Sequence, residues 1–284
     1  MATTAPNAIA MFPPAEPSQP SDLDVAVAAA IAAAEAAQDA RAAPLKPRTK
    51  GVAADLVTEA DHAAEAAAVA ILSRQRPRDR ILGEEGTRTG GGDRRWVIDG
   101  VDGTVSFASG LTGGWCSAVA LEDAHGPRAA AVYDPQAREL HAAERGAGGT
   151  VATLAGETRP PASGTPASTR VRGPRRLEQA HVAVFLRQDR LVLPGVREAA
   201  HALIDAAGLF RHAGPGSLEL AWVAAGRLDA WVQPQTEPWD WLPGALLVTE
   251  AGGAARTVEH AGTRWHLAGH GELLDELEAR LALR

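Results

Sequence analysis

The chain has 284 residues, 28 Lys+Arg against 35 Asp+Glu for a formal charge of −7, and 45% hydrophobic against 22% charged residues. This is globular composition, long enough for two units or one large two-lobed one, and it excludes a disordered, collagen-like or coiled-coil chain. The acidic balance lacks the basic footprint of a nucleic-acid binder, and the single cysteine, Cys116, can form neither an internal disulfide nor a thiolate zinc site.

Alanine is abundant and Lys46 and Lys50 are the only lysines, a bias that reads as genomic base composition. The longest apolar run, Val25 to Ala34, falls short of the ~20 residues that span a bilayer. The first twenty residues carry no Lys or Arg, unlike a secretory signal, so a cytoplasmic protein is expected.

Residues 1–21 hold five prolines and predict a mobile tail. Ser21 and Asp22 cap an alanine-rich helix from about Leu23 to Arg41, and residues 42–50 are a linker. In DLVTEAD (55–61), a short extended piece precedes Thr58 and Asp61, whose spacing is that of a capping box for a helix to about Arg74. Ile81-Leu82 is a strand running into Glu84 and Glu85; residues 86–95 read as a flexible polar loop; Trp96-Val97-Ile98 is a strand ending at Asp99. Residues 115–122, 128–133 and 138–143 are meander strands, and the Pro/Ser/Thr/Gly stretch 156–170 marks a boundary. Beyond it, 181–187 and 228–234 read as strands, and 195–207, 217–225 and Trp241 to Ala251 as helices. The mixture places the fold in the α/β (α+β) class, helices layered on sheets. The division expected is a tail (1–21), an α+β lobe (22–155), a boundary loop (156–175) and an α/β lobe (176–284).

Three apolar strands run into acid: Glu84 and Glu85, then Asp99 and Asp102, then, after a short loop, Asp240. Carboxylates gathered at the edge of a core repel one another and are costly to desolvate, and a divalent cation removes that cost. Oxygen ligands without thiolates point to Mg²⁺ or Mn²⁺. In IDGVDGT (98–104) the two aspartates suit a tight turn that aims both side chains and the Val101 carbonyl at one point. Gly103-Thr104 then opens a helix, whose free N–H groups attract phosphate. Taken singly, each piece also has a plain reading: Asp-Gly pairs are turn signals, Thr58–Asp61 and Asp240 are helix caps, and Glu84-Glu85 is a solvated turn.

Together, DLVTEAD (55–61), GEE (83–85), WVIDGVDGTVSF (96–107), GSLELAWVAAGRLDAWV (216–232) and WDWLPGALLVTEAGG (239–253) resemble the inositol monophosphatase family of Mg²⁺-dependent, lithium-sensitive phosphatases, across about residues 23–284. The resemblance implies a layered αβαβα sandwich of the inositol monophosphatase and fructose-bisphosphatase type, commonly a homodimer. It implies two or three Mg²⁺ ions, replaceable by Mn²⁺, on Glu84, Asp99, the Val101 carbonyl, Asp102 and Asp240. Gly103 and Thr104 are the implied phosphate cradle. Glu84 and the Thr104–Asp61 pair are the implied handlers of the proton of a metal-activated water. On the substrate side stand Gln233, Arg211, Gly214 and Gly216.

Three departures from the family pattern stand out: Gly100 in place of proline, which gives the turn more freedom; Ser106 in place of asparagine; and Gln233 where inositol phosphatases commonly carry a glutamate that contacts substrate hydroxyls. The metal set survives them, while the substrate stays open between an inositol phosphate, histidinol phosphate and a sugar, cyclitol or nucleoside phosphate. A non-catalytic binding protein on the same fold is the reading from another class. Neither a nucleic-acid nor a membrane partner is expected. Cys116, His212 and Trp222 read as packing residues.

Overall fold

Period-two alternation along the strands sorts the apolar side chains into three cores. The computed structural model describes residues 19–41, 48–49, 56–111, 114–154, 166–212 and 214–282; the tail before residue 19 and most of the 42–50 linker lie outside them. Its helices are α1 (Asp22–Arg41), α2 (Glu59–Gln75), α3 (Thr104–Ser109), α4 (Gln188–Leu191), α5 (Val196–Ala206), α6 (Gly216–Ala224), α7 (Pro238–Glu250) and α8 (Gly271–Leu281). Its strands are β1 (Arg48–Thr49), β2 (Leu56–Val57), β3 (Arg80–Gly83), β4 (Arg88–Thr89), β5 (Arg95–Asp102), β6 (Cys116–Asp123), β7 (Gly126–Asp134), β8 (Glu139–Glu144), β9 (Gly148–Thr153), β10 (Ala167–Ser168), β11 (His181–Ala183), β12 (Leu209–Arg211), β13 (Ala230–Pro234), β14 (Ala254–His260) and β15 (Thr263–Gly269).

An eight-stranded sheet runs β10-β9-β8-β7-β6-β5-β3-β4 and a five-stranded one β12-β11-β13-β15-β14, with β1-β2 a separate ribbon. On β5, Trp96 and Ile98 face the first core and Val97 the second; on β6, Val119 and Leu121 face the first, and Ala118 and Ala120 the second. On β13, Trp231 joins the second core while Ala230 and Val232 join the third. Helices α1 and α2 cover one face of the large sheet, α6 and α7 fill the space between the sheets, and α5 and α8 cover the far face of the small one. The expected αβαβα sandwich is the fold.

The alanines that read as base composition are packing residues. Ala26, Ala29, Ala30, Ala33, Ala34 and Ala37 of α1 and Ala60, Ala64 and Ala68 of α2 are all wholly buried in the first core. Their three- and four-residue spacing makes one face on each helix, and the methyl side chains let the two axes approach closely.

The stretch 86–95, expected to be a slack loop, folds back as β4 on β3. A Cβ on Gly90 or Gly92 would run into the backbone of Arg78 and Asp79. Arg94 closes the segment with a bidentate bond to Asp22 (2.9 and 3.0 Å) and another to Asp79. Asp22, at the start of α1, also takes Arg76 Nε (2.8 Å) and Arg128 Nε (3.1 Å), so one carboxylate ties the first helix to α2's end, the hairpin and β7.

Other differences are local. The 181–187 segment is strand only to Ala183; beyond it Leu186 N–H bonds His212. Strands β9, β14 and β15 and helix α8 have no counterpart among the expected elements, although ELLDELEARL in α8 has the apolar spacing of a surface helix. Cys116 is buried and free, His212 stacks on Phe185 and Trp222 packs at the edge of the second core.

Burial pushes the Asp22 carboxyl up, but Arg94 and Arg76 outweigh it and hold it below the usual range. A depressed carboxylate contributes stability above its unfolded pKa of about 4 and loses it as pH falls through the folded value. Asp22→Asn is therefore expected to lower unfolding free energy by about 1–3 kcal/mol at pH 7, with the gap from wild type narrowing below about pH 4. Urea titrations at the two pH values measure it.

Candidate functional site

The site starts from an irregularity in β5. Asp99 pairs with Ala118 and Asp102 with Cys116, so the β5 side of that interval holds one more residue than the β6 side. In a regular strand, residues three apart point to opposite faces; the extra residue of a β-bulge brings both aspartates to the same one. Asp99 Oδ1 accepts Val101 N–H at 3.0 Å, which tightens the turn between them.

Gly100 sits in the bulge, buried rather than free. A Cβ there would lie 2.8 Å from the Ala64 methyl and 2.9 Å from Glu65 N, and Ser117 Oγ donates to its carbonyl at 2.6 Å. The glycine thus lets α2 rest directly on the bulge, where the sequence suggests a looser turn. Gly103 follows with φ 97°, and a Cβ there would overlap the Gly114 carbonyl. A side chain is excluded on both counts, and α3 begins at Thr104.

Asp240 arrives from the other side, in the first turn of α7, whose Pro238 opens the helix. Carboxylate oxygens of Asp99, Asp102 and Asp240 lie within 4.8 Å of one another. Glu84 borders this triad: its side chain shares a hydrogen bond with Asp99, and its charge bears on Asp102 and Asp240. Burial, then repulsion from Glu84, Asp102 and Asp240, holds the Asp99 carboxyl far above the ordinary range. Burial, then Asp102 and Glu84, does the same to Asp240. Asp102 is pushed up by burial to about 6, held back by hydrogen bonds from Ser217 and Gly216. Ser217 N–H reaches Asp102 Oδ2 at 2.7 Å. Three hard oxygen donors, crowded together with Asp99 buried and Asp102 and Asp240 half-buried, fit a divalent cation such as Mg²⁺, which would favour their ionised forms.

Thr104 Oγ1 lies 2.7 Å from Asp61 Oδ1 and 3.2 Å from the Val101 carbonyl. The other Asp61 oxygen accepts Thr58 N–H at 2.8 Å and Thr58 Oγ1 at 2.5 Å, so the capping box read from the sequence is present and its carboxylate also reaches the site. The plain and the functional readings of Asp61 coexist in one side chain.

The expected substrate-side residues fall on the small sheet and α6. Gln233 is half-buried on β13, and its Oε1 has no hydrogen-bond partner among the described residues. That oxygen would lie 3.8 Å from a Cβ built on Gly216. Arg211 turns instead to Glu219, its Nε 3.1 Å from Oε1, and its guanidinium lies over Trp222. The same Glu219 oxygen accepts Gly214 N–H at 3.1 Å. Burial pushes the Glu219 carboxyl up to about 7 against the opposing effect of Arg211. Sequence reading misses Glu219 and also Glu65, a buried carboxylate on α2 that accepts Glu85 N–H at 2.7 Å and Thr87 N–H at 3.0 Å. The only sequence signal for Glu65 is its place four residues after Asp61, on the same helix face.

The model of the inositol monophosphatase family matches residues 19–278, and the chain belongs to that family. A protein of Pseudomonas aeruginosa named Nus factor SuhB is 38% identical over 208 residues, 71% of this chain and 72% of that one. An inositol-1-monophosphatase of Rhizobium meliloti is 34% identical over 213 residues, 74% of each chain. Among solved structures, the extragenic suppressor protein suhB of Bartonella henselae superposes with a TM-score of 0.77 at 29% identity, covering 90% of this chain and 96% of that one. An inositol monophosphatase from Anabaena gives 0.73 at 28% identity, covering 91% and 94%.

A carboxyl whose folded pKa exceeds its unfolded value destabilises the native state as pH rises through the interval between them. The metal-free protein is therefore expected to lose stability from about pH 4 upward through pH 6 as Asp102 ionises, with Asp99 and Asp240 adding to the loss as they ionise in turn. Mg²⁺ is expected to reverse the loss, raising the melting temperature more at pH 7.5 than at pH 5.5. At a hundredfold excess over Kd the gain is about 2.7 kcal/mol. Thermal scans in EDTA and in Mg²⁺ at both pH values check the sign.

Proposed function

We propose that this member of the inositol monophosphatase family hydrolyses a small-molecule phosphate monoester in a Mg²⁺-dependent reaction. The observation that carries the reading is the convergence of Asp99, Asp102 and Asp240 within 4.8 Å, next to a threonine hydroxyl already hydrogen-bonded to a buried carboxylate. Mn²⁺ is a reasonable substitute by ligand chemistry.

Asp99, Asp102, Asp240, Glu84 and the Val101 carbonyl would hold the cations. When bound, Mg²⁺ neutralises the acidic cluster and the phosphate and lowers the pKa of a bound water. The Thr104 hydroxyl donates to Asp61 Oδ1, which leaves its own oxygen free to accept a proton from an attacking water and pass its hydrogen to Asp61. Asp61 is held for that task by the two bonds from Thr58. Glu84, hydrogen-bonded to Asp99, is the second proton acceptor. Gly103 caps α3 without a side chain, so the N–H groups of Thr104 and the residues after it would receive the phosphate. Positioning and electrostatics thus supply most of the catalysis.

An intact acidic triad favours this reading over a non-catalytic protein on the same fold. Gln233 brings hydrogen-bonding capacity without charge to the leaving-group side. Histidinol phosphate and phosphates of sugars, cyclitols or nucleosides therefore stand beside inositol phosphate as candidates. For assembly we favour a homodimer: Ile204 and Leu209 leave apolar surface exposed where β12 forms a free sheet edge. Among the described residues no helix is long and apolar enough to cross a membrane.

Phosphate release from inositol 1-phosphate, histidinol phosphate, nucleoside monophosphates, 3′,5′-bisphosphates and fructose 1,6-bisphosphate, with Mg²⁺, EDTA or Li⁺, tests the proposal. Asp99→Asn is expected to cut kcat/KM by about 10²–10³-fold or more while the far-ultraviolet dichroism stays native. Undiminished turnover of that variant at saturating Mg²⁺ would overturn the assignment.

A further inference from the structure

We infer that Glu65 is a positioning residue that aims Glu84 at the aspartate cluster. The inference rests on the metal-site reading above and extends it from the cluster to the helix behind it.

Glu65 is only 4% exposed, and its two oxygens are spent on backbone. Oε2 takes Glu85 N–H at 2.7 Å and Oε1 takes Thr87 N–H at 3.0 Å. Both amides belong to the turn that follows β3 and carries Glu84. The turn is otherwise closed by Gly83 N–H on the Thr87 carbonyl (2.9 Å), Gly86 N–H on the Gly83 carbonyl (3.4 Å) and Glu84 N–H on the Ile98 carbonyl (3.1 Å). Of these only the Glu84 bond reaches another strand; Glu65 ties the turn to α2. Gly83 completes the fit, because a Cβ there would overlap the Glu65 carboxylate.

The charge is essential to this grip. A carboxylate offers an acceptor oxygen to each of two N–H groups, and charge-assisted bonds of this kind are the strong ones. A glutamine of the same shape offers one oxygen and one NH₂, so one amide faces a donor. The loss falls on a half-exposed turn, not on the core, and the fold should survive it.

Helix α2 thereby holds three parts of the site from one face. Asp61 grips Thr104, Ala64 rests on the bulge at Gly100, and Glu65, one turn after Asp61, grips the Glu84 turn. Because the three contacts share one rigid helix, the distance between the Glu84 turn and the Thr104 hydroxyl is fixed by helix geometry.

The test uses Mn²⁺ alone, followed by the paramagnetic signal of the free ion, with full-length wild type, Glu65→Gln, Glu84→Ala, Gly83→Ala and the Glu65→Gln/Glu84→Ala double variant. Glu65→Gln is expected to bind Mn²⁺ about 10–100-fold more weakly, the range seen when partners that orient metal ligands are removed. Its melting temperature in EDTA should stay near wild type. Gly83→Ala, which displaces the same carboxylate from outside, should weaken Mn²⁺ comparably. In the Glu84→Ala background, Glu65→Gln should cost nothing further, since it acts through Glu84; additive losses would overturn the proposal. Unchanged Mn²⁺ affinity in both Glu65→Gln and Gly83→Ala would also overturn it. Wild type that binds no Mn²⁺ would instead defeat the metal-site reading on which it rests.

Discussion

Mutual repulsion among Asp99, Asp102 and Asp240 is the constraint around which the molecule is built. Three carboxylates with oxygens within 4.8 Å, one buried and two half-buried, form an arrangement no chain adopts for stability. The protein relieves it only in part. Ser217 and Gly216 turn their N–H groups to Asp102, and the Val101 amide serves Asp99. What these dipoles leave uncompensated is a demand for positive charge, and no Lys or Arg is among the leading influences on any of the three aspartates. The same atoms therefore destabilise the metal-free fold and suit a hard dication.

Such a cluster can persist only because the surrounding layers are packed firmly enough to hold it. The first core, of alanine faces and the wholly buried Trp96, Trp115 and Phe107, backs the bulge that bears Asp99 and Asp102. The second core, between the sheets, carries α7 and hence Asp240. Small residues set the spacing: Gly100 and Ala64 bring α2 onto the bulge, and Gly244 of α7 lies so close to Leu220 of α6 that a Cβ would overlap it. Alanine and glycine here are the means by which helices come near enough for short carboxylate side chains to meet.

Much of this is legible in the sequence because each acidic residue follows an apolar run, which locates it at a strand end or helix start. The glycine-rich turn signals that Asp99 and Asp102 meet; the bulge that brings them to one face is hidden, since register depends on Cys116 and Ala118 of the neighbouring strand. Glu65 is invisible for a different reason. An acid four residues after another on a helix is the ordinary pattern of a solvated face, and only the position of the 83–87 turn reveals that this face is buried. Glu219 is a similar case, an acid within the apolar GSLELAW run, whose partner Arg211 belongs to a three-residue strand too short for its pattern to delimit. The hairpin 86–95 reads as a loop because glycines signal slack as readily as close backbone contact.

The placement of Asp102 also ties the acidic cluster to the layer beside it. Its bonds to the start of α6 join the large sheet to the helices between the sheets, so the proposed metal ligation and the contact between layers depend on the same carboxylate. Gln233 takes no part in that joint. It stands on β13, cross-strand from His266, whose imidazole burial depresses to a pKa of about 4 and so keeps neutral. Trp231 and Trp241 stack beside them at 5.9 Å. This wall sets Gln233 and a neutral imidazole among aromatic rings, and it adjoins the acidic cluster, since Trp241 follows Asp240 on α7 and Gly216, beside Gln233, donates its N–H to Asp102. On the proposed reading, Gln233 would bear on which leaving group is accepted while adding no charge to the cluster.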